Sequence, residues 1–306
     1  EMRYDFTQDG FSYPPFYTSR RFHLDDFLIE NLPEEYAQFL PEHTVTAIEQ
    51  KDGGFYVSLK GTVETQVYCD YIIGAEGEKP IVTRHLGLDH YREKPHLIGA
   101  LRVYYKGVEG FHKNNHLEFF FDKELLPGYF WAFPLSNGEA NVGLGMVSTA
   151  ISDKKINLKK QLEYMIENHP KVSQMFKNAE PLEKPVGWGL PIITPQRKIA
   201  GDGYALIGDA AGMIEPFTGK GIGPGMVSAR LLSEHLVKAI SEKRKNLSDY
   251  EEHIYRYYKS ETRAGYFLQR SLRKSWLLSL VADISELKPL HNWAHNKMVK
   301  EWRRWI

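Results

Sequence analysis

The chain has 306 residues, with 39 Lys plus Arg against 39 Asp plus Glu, so its formal net charge is zero. That balance excludes a protein held to nucleic acid by bulk phosphate attraction, and equally a strongly acidic disordered chain. At 42% apolar and 13% aromatic residues it has material for a real core, spread over about two domains of roughly 150 residues each.

Cys69 is the single cysteine, which rules out an internal disulfide framework and a cysteine metal cluster. The His residues show no HExxH pattern, so no metal site is expected. No apolar run reaches the roughly 18 residues of a bilayer span. The start, EMRYDFTQDG, has no basic region followed by an apolar one and no initiator Met. No signal peptide is read there, and a cytoplasmic chain that begins mid-protein or after processing is expected.

In chain order, residues 1–21 are aromatic and Pro-rich and read as strand and loop. HLDDFLIENL at 23–32 has apolar residues at helical spacing. HTVTAIEQ and GFYVSLKG alternate around Lys51-Asp52-Gly53-Gly54, a hairpin signal. VYCDYIIGAEG at 67–77 is a nearly continuous apolar run and predicts a strand buried on both faces, with Cys69 a small core residue. HLIGALRVYYKG, HLEFFFD, GYFWAFPL and EANVGLGMV between 96 and 148 predict an antiparallel sheet, with a tight turn at Ser136-Asn137-Gly138. Residues 155–178 predict a helix broken near Pro170. A strand, YALIGDAAG, then enters a Gly/Ala-rich turn, and an amphipathic helix follows at 228–240. The tail from 247 is helical by period, with a break near Pro289.

The chemistry is concentrated in YALIGDAAGMIEPFTGKGIGPGMVSARLLSEHL. Asp209 is a carboxylate flanked by tiny residues, Gly208 and Ala210, so a ligand can approach it closely. Gly219, Gly221 and Gly223 precede a helix whose first turn leaves free N–H groups and the positive end of its dipole. The segment therefore offers one acid for sugar hydroxyls and one N–H cluster for an electron-rich ring or an anion. The plain structural alternative is a Gly-rich turn in which Asp209 caps the helix.

GDAAGMIEPFTGKGI resembles the second flavin-contacting motif of the FAD oxidoreductases that include aromatic hydroxylases, flavin-dependent halogenases and geranylgeranyl reductases. CDYIIGAEGEKPIVTR resembles the GADGxxSxVxR motif of the same group, with Gly74, Ala75, Gly77, Val82 and Arg84 in place. Glu76 stands where Asp is usual, and Pro80 where Ser is usual. Arg21, Leu24, Asp25 and Leu28 resemble the group's Arg-containing helix start. Tyr129, Trp131, Phe133, Pro134, Gly143 and Gly145 fit Tyr-x-Trp-x-Phe-Pro followed by Gly-x-Gly, the signature of the geranylgeranyl reductase family.

The resemblance implies a mixed α/β (α+β) fold: an FAD-binding Rossmann-like remnant, an inserted antiparallel substrate domain and a helical tail. The boundaries expected are 1–90 and 196–245 for the FAD portion, 91–195 for the substrate sheet and 246–306 for the tail. The strand–GxGxxG–helix unit that opens such proteins does not occur in this sequence, so a fragment is expected.

By the resemblance, Asp209 with Gly208, Ala210, Pro216, Gly219, Gly221, Ile222, Gly74, Glu76 and Arg21 would hold FAD. Tyr129, Trp131, Phe133, Pro134 and Gly143 would wall an apolar substrate. The implied activity is FAD-dependent reduction of carbon–carbon double bonds in an isoprenoid lipid, with the hydride chemistry borne by the flavin and the electron donor unread. Two alternatives stand beside it: a flavin monooxygenase or halogenase, and a non-catalytic fragment without cofactor. Trp276, Trp293, Trp302 and Trp305 lie among basic residues in the tail, which suits either peripheral contact with a membrane or packing on the protein itself.

Overall fold

The computed structural model describes residues 17–62, 64–79, 81–88, 93–194 and 197–273, with 296 and 299. Helix α1 (Arg21–Glu30) appears where the spacing predicts it, yet none of its residues is buried, and Phe22 is 72% exposed. Strands β1 (Thr44–Lys51) and β2 (Gly54–Lys60) form the expected hairpin.

The run at 67–77 differs from the expectation of one doubly buried strand. β3 (Glu64–Cys69) pairs antiparallel with β2 and leaves Val67 and Tyr68 exposed, whereas β4 (Ile72–Gly74) enters another sheet. The break falls at Asp70, whose carboxylate takes a 2.8 Å bond from Lys245 Nζ. An apolar run interrupted by one charge satisfies two short strands as well as one long one. Cys69 is half-buried at the end of β3, and desolvation raises the pKa of its thiol.

After the short α2 (Ile81–His85) come β5 (Leu97–Lys106), β6 (Glu118–Phe120), β7 (Gly128–Pro134) and β8 (Glu139–Val147). Helices α3 (Ser148–Asp153), α4 (Leu158–Asn168) and α5 (Val172–Met175) follow, with Pro170 between the last two as expected. β9 (Glu180–Pro181) and β10 (Val186–Pro191) return to the sheet, whose order is β10-β5-β8-β7-β6 with β9 beside β5. All its pairings are antiparallel.

Strand alternation separates the two faces of this sheet. One face sets Val103, Phe130, Ala132, Val142 and Leu144 against Leu162, Met165 and Val172 of the helices. Burial of that face supplies the main driving force for this layer. The start of α4 is fixed by Asn157, whose side chain accepts from the Lys160 N–H. Asn157→Ala is expected to cost about 1 kcal/mol through the lost cap, read as a lowered denaturation midpoint.

The third layer contains β11 (Ala200–Gly201), β12 (Tyr204–Leu206), α6 (Ile222–Ser241) and α7 (Ser248–Ser271). β12 runs parallel to β4 and antiparallel to β11. Leu206, Leu231, Tyr250 and Ile254 form its core together with Ile48 and Phe55 from the hairpin. Tyr250 is wholly buried and donates to the Leu206 carbonyl at 3.0 Å, tying α7 to β12.

A small cluster of Ile98, Val147, Ile192 and Ile214 joins the large sheet to the segment after β12. There Ile193 N–H bonds Ile214 O at 2.9 Å and Ile214 N–H bonds Pro191 O at 3.2 Å. The expected break at Pro289 and the tail tryptophans lie outside the described residues. Among the described residues no helix is long and apolar enough to cross a membrane, and no group of three or more metal-ligating side chains occurs.

Candidate functional site

β12 ends in a 3-10 turn, Gly208–Ala211, that packs on the start of α6. Gly208 N–H donates to Ser228 Oγ at 2.9 Å, and Ser228 Oγ–H donates to Gly225 O at 2.6 Å. A Cβ on Gly208 would lie 3.7 Å from the Gly225 Cα, so backbone meets backbone here with no side chain between. Gly212 closes the turn at φ +68°, and the buried Arg197 guanidinium occupies the space a side chain would need. Glycine is required there twice over, by conformation and by room.

Asp209 is partly buried beside Gly221, the N-cap of α6. No side chain caps that helix, so Asp209 is not a helix cap. Its carboxylate makes no hydrogen bond with the described residues, and desolvation raises its pKa. Arg21 pulls the pKa down again, and Glu78 adds to the rise. A desolvated acceptor without a donor, next to uncapped helix amides, fits a ligand that brings both hydroxyls and electron-rich atoms. That is the chemistry of a flavin's ribityl chain and ring, so the residues present fit the group.

The other face of the large sheet is open and aromatic. Tyr129, Trp131 and Phe133 of β7 share it, with Phe119 of β6 packed edge-on to Tyr129 and Phe133 at 5.4 and 5.0 Å between ring centroids. Across the sheet Tyr129 faces Gly145, Gly145 faces Ala100, and Ala100 faces Trp188, which is 54% exposed. Large rings thus flank a floor of small residues. Trp131 lies over Gly143 and donates from Nε1 to Asn141 Oδ1 at 3.1 Å. Pro134 belongs to the opposite, buried face with Phe130 and Ala132, so strand alternation separates it from the rings with which it was grouped.

The two features meet at one contact: the Tyr129 hydroxyl donates to the Thr218 carbonyl, beside Gly219. Desolvation drives the Tyr129 pKa strongly upward, and Glu215 adds to the rise. Arg21 N–H bonds Tyr104 Oη at 3.0 Å, and its exposed guanidinium pairs with Asp25 within α1 at 3.1 Å. Of the remaining sequence candidates, Gly74 and Pro216 are buried, Ala210 is partly buried and Ile222 is exposed. Glu76 accepts the Val82 N–H at 2.9 Å through one oxygen, while the other is buried without a partner. Lys220 is paired with Glu261 at 3.3 Å.

Sequence reasoning passed over Phe119, Asn141, Trp188 and Glu215. Phe119 and Trp188 could have been found from strand register alone, since each aligns with the face that carries Tyr129 and Trp131.

The family model of the geranylgeranyl reductase catalytic domain matches residues 99–187, the stretch that spans β5 to the start of β10. A digeranylgeranylglycerophospholipid reductase of Methanopyrus kandleri is 33% identical over 178 residues, covering 58% of this chain and 44% of that protein. The chain thus spans about half the length of the curated relatives it matches.

A geranylgeranyl bacteriochlorophyll reductase-like structure from Thermoplasma acidophilum superposes with a TM-score of 0.71 at 23% identity, covering 86% of this chain and 69% of the other. The flavin-dependent brominase Bmp2 gives 0.65 at 20% identity, covering 82% and 66%. These two likenesses establish the fold, a mixed α/β arrangement shared with flavoproteins. The family model, the relative and the fold agree with the motifs read in order along the sequence, and residues 99–187 of the chain belong to the geranylgeranyl reductase catalytic domain family.

Proposed function

We propose that this chain is part of an FAD-dependent reductase of carbon–carbon double bonds in an isoprenoid lipid. The observation that carries the reading is the Tyr129–Thr218 contact, which sets the aromatic face against the turn built from the Gly208–Gly221 segment. Asp209 would take a hydrogen bond from a flavin hydroxyl, and the start of α6 would face the pyrimidine edge with N–H groups. A bound flavin supplies the hydride. The N–H groups favour negative charge on the ring they face, as donors do in an oxyanion hole.

Tyr129, Trp131, Phe133 and Phe119 would hold an extended apolar chain against the small-residue floor and keep water from it. The same reading divides the chain at 90, 195 and 245 into FAD portion, substrate sheet, FAD return and tail. It also places the protein in the cytoplasm, where it meets its lipid at a membrane surface through residues 246–306. The name of the Methanopyrus relative supports the lipid class.

The test is product mass, using the complete protein with reduced FAD and a digeranylgeranyl glycerophospholipid. A gain of two hydrogens per reduced double bond is expected. A gain of oxygen or of halogen replaces this reading with the monooxygenase or halogenase alternative, and a purified complete protein without a flavin absorption band ends it.

A further inference from the structure

Glu215 is buried, with 9% of its surface exposed. Its carboxylate accepts three hydrogen bonds from the turn that follows it: Phe217 N–H at 3.0 Å, Thr218 N–H at 2.5 Å and Thr218 Oγ–H at 2.5 Å. Its own backbone closes the same loop, with Glu215 N–H on Lys220 O at 2.9 Å and Gly219 N–H on Glu215 O at 3.1 Å. The Thr218 carbonyl thus held is the acceptor of the Tyr129 hydroxyl.

Helix α7 supports this loop from behind with residues four apart on one face. Glu261 pairs with Lys220 at 3.3 Å. Gly265 leaves the notch filled by Glu215 Oε1 and Pro216, and Gln269, itself buried, donates from Nε2 to Pro216 O at 2.6 Å. A side chain on Gly265 would strike the Glu215 carboxylate. The absence of Cβ at that one point lets helix and carboxylate interlock.

We infer that Glu215, locked by the Glu261–Gly265–Gln269 stripe of α7, is the positioning residue of the 215–220 loop and places a fixed negative charge behind it. The inference rests on the proposed flavin site and assigns a role to α7 in it. Three donors to one carboxylate fix the turn, and through Thr218 they fix where Tyr129 holds the aromatic face. A buried anion at that place raises the energy of a negatively charged reduced ring relative to the neutral oxidised one. It thereby makes a flavin held there the stronger reductant.

Glu215→Gln in the complete protein tests this, because an amide cannot accept three hydrogen bonds in that geometry and carries no charge. Exchange of the Phe217 and Thr218 amide hydrogens is expected to quicken about tenfold, the equivalent of one lost net hydrogen bond. The flavin midpoint potential is expected to move to more positive values, which a purely structural defect would not dictate. Wild-type exchange or a wild-type potential overturns the inference.

Gln269→Leu serves if Glu215→Gln does not fold. Its expected signature is the same quickened exchange confined to residues 215–220, and unchanged exchange overturns the role of α7. A wild-type protein that binds no flavin refutes the proposed function, whereas the exchange measurement still decides what Glu215 does for the loop.

Discussion

Asp209→Ala is expected to weaken FAD binding by the complete protein about 10- to 100-fold, the 1.5–3 kcal/mol of a hydrogen bond to a charged group. Lys220→Ala is expected to cost less than about fivefold, because its side chain is 39% exposed in its pair with Glu261 and solvent-exposed pairs contribute at most about 1 kcal/mol. Titration of flavin fluorescence separates the two variants, and equal losses would remove Asp209 from the site.

A second signature needs no flavin. Burial raises the Asp209 pKa above its ordinary value, against the pull of Arg21. The folded chain therefore binds this proton more tightly than the unfolded chain does, and the desolvation penalty is absent below the ordinary aspartate pKa of about 4. It develops as pH rises through the raised value, so this group lowers stability with increasing pH. Asp209→Asn should flatten that part of the curve in urea titrations of flavin-free protein, leaving the variant more stable than wild type at neutral pH while binding flavin less well. A site that costs stability when empty and gains it on binding is what an unpartnered carboxylate beside uncapped amides implies.

Much of the site was legible because its signals are local. Asp209 between Gly208 and Ala210 reads as a close-approach turn whatever the rest of the chain does. Tyr129, Trp131 and Phe133 share a face by strand period alone. The same period also separates Pro134 from them, which the motif, being a string of adjacent residues, conceals. The 67–77 run misled because an apolar stretch does not say which sheet each half joins. Asp70 was the only mark of the division, and a lone polar residue is compatible with both readings.

Glu215 was out of reach for another reason. Its meaning lies in Gly265 and Gln269, some fifty residues later in a helix whose sequence resembles no motif. Likewise, α1 shows helical spacing yet buries nothing among the described residues, since periodicity reports which face is apolar and not what covers it.

Gly143→Ala is expected to destabilise the protein by about 2–4 kcal/mol, through overpacking and one lost hydrogen bond. The new methyl would overlap both the Leu101 carbonyl oxygen and the Trp131 indole. The backbone cannot yield easily, because Gly143 sits between Arg102 of β5 and Trp131 of β7 in the centre of the sheet. The indole must therefore lift, giving up its bond to Asn141. Gly145→Ala provides the control on the same strand and face. Its methyl would stand 3.4 Å from Ile98 Cγ2 and 3.6 Å from Ala100 Cβ, ordinary contact distances, so a change within about 1 kcal/mol is expected.

Near-UV circular dichroism should show the aromatic bands altered in Gly143→Ala alone. If the reductase reading holds, that variant should also shift the prenyl chain length accepted, because the raised indole shortens the trough, while Gly145→Ala keeps the wild-type preference. Equal tolerance of both substitutions would mean that Trp131 is not seated on the sheet. The small-residue floor would then be a packing feature of β8 and not the base of a binding groove.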